Sequence, residues 1–230
     1  MGHSAHPERL LKQGIRALNR GDCEEAIEKF LQARRTDTDN PELEYYLGIA
    51  WARRGDYSRA IEALTRVMES DAEYLHKLHT GMVLGYIHTL REEYDKALPH
   101  FRRVVDSGLE NAQAYAAIGY IMDRLGDFKQ AVMNLYRAVE IDPDNANAHN
   151  SLGYIFAESN LNLDEAVREC RKAVELDGGN PAYLDSLGWA LYKQGRLDQA
   201  RTYLKKAARL APENPEIAAH LRVVLRELRS

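Results

Sequence analysis

The sequence predicts an all-α protein, an α-solenoid of stacked helix–turn–helix hairpins, and three observations predict it. Six glycines, Gly14, Gly48, Gly85, Gly119, Gly153 and Gly188, recur at spacings of 34, 37, 34, 34 and 35 residues along the 230-residue chain. An alanine follows each of them twelve residues later, or thirteen in one case: Ala26, Ala60, Ala97, Ala131, Ala166 and Ala200. Between the two columns lie the turn signals "RGDC", "RGDY", "LGDF" and "QGRL". In these a glycine closes one helix and, in three of the four, an aspartate opens the next.

Each element follows from the register. Position 1 of the successive units falls at Pro7, Pro41, Leu78, Ala112, Ala146 and Pro181, which gives repeats 7–40, 41–74, 78–111, 112–145, 146–180 and 181–214. Position 7 is then Leu47, Leu84, Ile118, Leu152 and Leu187, with Gln13 the exception. Position 24 is Phe30, Leu64, Phe101, Leu135, Cys170 and Leu204, and position 27 is Ala33, Val67, Val104, Ala138, Ala173 and Ala207. Every unit therefore reads as helix A, a tight turn and helix B, with Gly at position 8 and Ala at position 20 allowing close approach. Two small insertions interrupt the period, one between Ala60 and Gly85 and one between Gly153 and Ala166. A lone hairpin cannot bury both of its apolar faces, so the units must stack. The tail from Pro215, "PEIAAHLRVVLREL", repeats the start of a unit and predicts a capping helix over 215–230. In it Ile217, Leu221, Val224, Leu225 and Leu228 point inward and Arg222, Arg226 and Arg229 outward. Residues 1–6 are expected to be a disordered or tag-like start.

These columns resemble tetratricopeptide repeats over residues 7–214, in period and in small/large pattern. The resemblance implies a right-handed solenoid with a concave face lined by A helices, and a non-catalytic scaffold for protein–protein interaction. Position 4 departs from the pattern at Glu44 and Gly81, and the closing proline is present only as Pro143 and Pro212. Some members grip a chaperone's C-terminal carboxylate with Lys and Asn at positions 5 and 9 of the first repeat. Leu11 and Ile15 occupy those places here, followed by Tyr46, His79 and Val83 in the next two repeats, so the clamp is absent. The units also resemble those of bacterial envelope and lipoprotein-associated members, which leaves cytoplasmic and periplasmic locations open.

A large residue follows the glycine in every unit: Ile15, Ile49, Tyr86, Tyr120, Tyr154 and Trp189 at position 9. At about 100° per residue, position 9 lies opposite positions 4, 7, 8 and 11, on the inner face rather than in the hairpin core. Tyr and Trp combine contact area with a polar tip and are enriched at binding hot spots. The predicted partner-binding groove is Tyr45, Tyr86, Tyr120, Arg124, Asn150, Tyr154, Asp185, Trp189 and Tyr192, with Asn150 and Asp185 available to bond a peptide backbone. It is expected to hold a peptide or helical segment of another protein and to read shape and apolar side chains first. Two other readings stand beside this one: rings that only pack on one another, and a self-assembling scaffold that uses the groove or the solenoid ends for homo-oligomerisation.

Other signals are weak. A net charge of −4 argues against a dedicated nucleic-acid binder. No apolar run approaches the ~18 to 20 residues of a membrane span, and the start "MGHSAHPERL" lacks the apolar core of a signal peptide. Cys23 and Cys170 form neither a disulfide framework nor a zinc site. "HKLH" from His76 to His79, with His88 beyond, lacks the acids or thiols to complete a metal site. No cofactor motif and no catalytic constellation is present. The basic stripe Arg196, Arg201, Lys205, Lys206 and Arg209 is read as a solvated face or a contact for an anionic surface.

Overall fold

A computed structural model describes residues 6–229; residues 1–5, which hold nearly all of the expected tag-like start, and residue 230 lie outside it. Thirteen helices, and no strand, are found among the described residues: α1 (Pro7–Asn19), α2 (Cys23–Arg34), α3 (Pro41–Arg53), α4 (Tyr57–Glu69), α5 (Tyr74–Leu90), α6 (Tyr94–Asp106), α7 (Ala112–Arg124), α8 (Phe128–Ile141), α9 (Ala146–Glu158), α10 (Leu163–Leu176), α11 (Pro181–Lys193), α12 (Leu197–Leu210) and α13 (Pro215–Glu227). The all-α class and the stacked hairpins are as the sequence predicts. Contacts divide the chain into two compact units, Met1–Ser107 with α1–α6 and Gly108–Ser230 with α7–α13. Within each unit every A helix packs on its own B helix, and successive A helices lie side by side.

The hairpin turn is one repeated device. Helix α1 ends with the Asp22 N–H donating to Ala17 O and the Gly21 N–H donating to Leu18 O, the paired bonds of a Schellman cap. Gly21 supplies the left-handed residue that this cap needs, with φ of +84°. Asp22 then caps α2 at once, its Oδ1 accepting from the Glu25 N–H at 2.9 Å. Asp56 and Asp127 do the same for Arg59 and Gln130. At the other end of five of the six hairpins an asparagine caps the next A helix: Asn40, Asn111, Asn145, Asn180 and Asn214 all accept from a first-turn N–H, whereas α5 starts after Glu73 with no side-chain cap.

Position 8 must be glycine because position 24 fills the space its side chain would take. A Cβ at Gly14 would meet Phe30 at 2.3 Å, one at Gly85 would meet Phe101 at 2.7 Å, and one at Gly188 would meet Leu204 at 2.6 Å. The fifth hairpin is closest. There a Cβ on Gly153 would lie 2.8 Å from both Ala166 O and Cys170 N, and the residue at position 24 is the small Cys170. Close helix approach and a small side chain accompany each other.

Two polar residues at position 4 have distinct structural roles. Buried Glu44 accepts from Arg34 of the preceding hairpin at 3.4 Å and from Arg66 of its own at 3.1 Å, tying α2, α3 and α4 together. His149, at the same position of α9, is held by Glu169 at 2.6 Å and by Pro143 O at 2.9 Å. The insertion before the third hairpin becomes an extra turn of helix: α5 begins at Tyr74, four residues ahead of Leu78. In α13 only Ile217 and Val224 are fully buried, while Leu221, Leu225 and Leu228 are half-buried.

Cysteine placement makes a simple test. Cys170 is buried, and burial pushes its thiol pKa well up, whereas Cys23 is half-buried, more open than a core residue. A thiol reagent should label Cys23 in the native protein and reach Cys170 only on unfolding. Equal native-state labelling rates would contradict the packing of α9 on α10.

Candidate protein-interaction face

The A helices of each unit present their position 9 residues on a common side, and the two units differ in how those residues are covered. In the first unit Ile15 and Ile49 join the apolar core, as does the ring of Tyr45. Tyr45 packs edge-on against Tyr46 at 5.5 Å and His76 at 5.0 Å, and burial raises its phenol pKa. Tyr86 leans edge-on against Phe101 at 5.1 Å yet stays 41% exposed.

The second unit holds the rings of interest. Tyr120 on α7 is 42% exposed, and Arg124 one turn on is exposed as well. Tyr154 on α9 is half-buried and donates its hydroxyl to Glu216 of α13 at 3.1 Å. Burial is the main cause of its raised pKa, with the charges of Glu216, Glu158 and Asp185 adding to it. Trp189 on α11 stacks on His220 of α13 at 4.1 Å and on Tyr192 at 4.9 Å, with Lys193 Nζ 5.1 Å from its centre. Its indole N–H donates to Glu158 of α9. Tyr154 and Trp189 therefore lace α9, α11 and α13 together while staying half-exposed.

Asn150 and Asp185 differ from the expectation of open hydrogen-bonding groups. Asp185 is only 5% exposed, and its Oδ2 pairs with His220 Nδ1 at 2.8 Å. The Oδ1 atoms of both residues are buried without a partner. Sequence reasoning missed Glu216 and His220, which reach the rings from α13. The signal available was their register: they stand at positions 2 and 6 of a seventh A helix, counted from Pro215.

The histidines set aside earlier have structural surroundings. His88 pairs with Glu93 at 2.7 Å and stacks on His100, and no group of three potential metal ligands is found among the described residues. No helix among them is long and apolar enough to cross a membrane.

Three models of one family match the chain: tetratricopeptide repeat over 11–73, TPR repeat over 124–160 and tetratricopeptide repeat over 181–214. A TPR repeat-containing protein of Pseudomonas aeruginosa is 42% identical over 65 residues, a match that takes in 28% of this chain and 11% of that protein's length. Among solved structures, the Cut9–Hcn1 hetero-tetramer of the APC/C superposes over 97% of this chain and 43% of its own, with a TM-score of 0.83 at 15% identity. MamA from Desulfovibrio magneticus RS-1 superposes over 77% of this chain and 97% of its own, with a TM-score of 0.66 at 26% identity. The register, the hairpins and these matches agree: the chain belongs to the tetratricopeptide repeat family, whose fold generally serves as a non-catalytic scaffold for protein–protein interaction.

Proposed function

We propose that the chain holds a segment of another protein on the A-helix face of its second unit, with Tyr120, Tyr154 and Trp189 at the centre of the contact. Arg124, Asn150, Asp185 and Tyr192 flank these rings, and Tyr45 and Tyr86 occupy the corresponding face of the first unit. The observation that supports this most is the 42% exposure of Tyr120. The stack keeps a large ring open at the register position where its neighbours carry rings too, and such residues dominate binding energies when a partner covers them.

Tyr120→Ala is the variant of choice, because Tyr120 is the most exposed of the three rings. It should weaken binding of a partner captured on the wild-type chain by roughly 1 to 3 kcal/mol. Calorimetric titration of that partner against wild-type and variant measures the loss. Unchanged affinity would place the contact elsewhere. If light scattering instead shows a mass that rises with concentration, and Tyr120→Ala abolishes the rise, the face binds a second copy of the chain.

A further inference from the structure

The ring-bearing face of the second unit also collects carboxylates, one from each of its four A-type helices: Asp123 on α7, Glu158 on α9, Asp185 on α11 and Glu216 on α13. Asp123 is half-buried and makes no side-chain hydrogen bond or ion pair among the described residues; burial raises its pKa, outweighing nearby Arg124, and Glu158 reinforces the rise. Glu158 uses Oε1 for the Trp189 indole and has Lys193 no nearer than 4.0 Å. Glu216 accepts from the Tyr154 hydroxyl. Asp185 is more than nine-tenths buried, and its charge is felt at Tyr154, yet one of its oxygens has no partner. Arg124 and Lys193 are the full cations near these four acids, with His220 charged only when protonated.

A surface built this way leaves acceptors and negative charge in excess. Half-buried Asp123 and the exposed carboxylates of Glu158 and Glu216 have acceptor capacity to spare, and the face of a tyrosine ring attracts cations through its quadrupole. A guanidinium suits both, since it stacks flat on a ring and spreads five N–H donors toward carboxylates. An acidic or wholly apolar segment would instead cover these acids without compensating them.

We propose that this face takes a basic segment of a partner protein, an arginine side chain lying on the Tyr154 ring with its guanidinium donating to Asp123 and to the second oxygen of Glu158. The inference rests on the proposed function and specifies the chemistry of its partner: charge joins shape in the recognition.

The test uses the full chain and three fluorescein-labelled peptides of equal length, alternating Gly-Arg, Gly-Gln and Gly-Glu, read by fluorescence anisotropy. The Arg peptide should bind about tenfold tighter than the Gln peptide, and the Glu peptide more weakly than either. Asp123→Asn and Glu158→Gln should each remove most of that preference, with the melting temperature of Asp123→Asn unchanged because Asp123 holds nothing. Glu24→Gln, an exposed acid in the first unit, controls for general attraction of a polycation to an acidic protein. Equal binding of the three peptides, or an equal loss on Glu24→Gln, would overturn the proposal. Failure here together with Tyr120-dependent capture of a partner would refute the basic segment and leave the interaction face standing. Failure of both would remove the face itself.

Discussion

Gly153→Ala is expected to lower the stability of the second unit by about 3 kcal/mol, the upper part of the range for overpacking. The added methyl would stand 2.3 Å from Cys170 Sγ and 2.8 Å from the Ala166 carbonyl oxygen and the Cys170 nitrogen. A side chain can rotate away from a clash; backbone atoms cannot, so α9 and α10 would have to separate. Gly81→Ala is the contrasting variant. Its methyl would meet only His100 Nδ1 at 3.6 Å, ordinary contact, and a helical alanine in place of glycine should gain about 0.5 to 1 kcal/mol. Urea denaturation followed by tryptophan fluorescence can report both variants, because Trp51 lies in the first unit and Trp189 in the second. Equal stabilities for the two variants would mean that the column of glycines has no role in helix approach.

Leu187→Ala should cost roughly 2 to 5 kcal/mol, as a cavity in a closed core does. Leu187 is fully buried in α11, which packs on α9, α12 and α13. Stability in a stack of hairpins is a sum of local and nearest-neighbour terms, so the loss should spread to α13 and broaden the thermal transition as well as lower it. Tyr120→Ala should leave the same transition almost in place. A comparable drop for both would make the ring column core rather than surface, and differential scanning calorimetry on the two variants decides the point.

Much of this architecture was legible because its causes are local. A glycine that must sit against position 24, an alanine twelve residues on and an aspartate after a left-handed residue all leave marks at fixed intervals. The asparagine caps Asn40, Asn111, Asn145, Asn180 and Asn214 leave an equally regular mark just ahead of position 1, and this one went unread. Burial of Glu44 was not legible in the same way. Its carboxylate is tolerable only because Arg34 and Arg66 converge on it from two other helices, and such pairing over 10 and 22 residues has no periodic signature. The site divides along the same line. The 100° rotation of a helix was enough to put the position 9 rings outside the hairpin core. What surrounds them depends on rotamers and on the neighbouring helix, so the burial of Asp185 and the reach of Glu216 and His220 emerged only in three dimensions.

The turn between α9 and α10 carries one residue more than its counterparts, and it takes up that residue with two left-handed asparagines, Asn160 at φ of 55° and Asn162 at 46°. The Schellman bonds still form ahead of it, from Asn160 N–H to Ala157 O and from Leu161 N–H to Phe156 O. Helix α10 then begins one residue late with its small column intact, Ala166 and Cys170 still facing Gly153. A change of length is thus dissipated within a single corner and never reaches the next hairpin. A chain built this way can gain a residue by insertion at such a corner and keep the register of the hairpin that contains it.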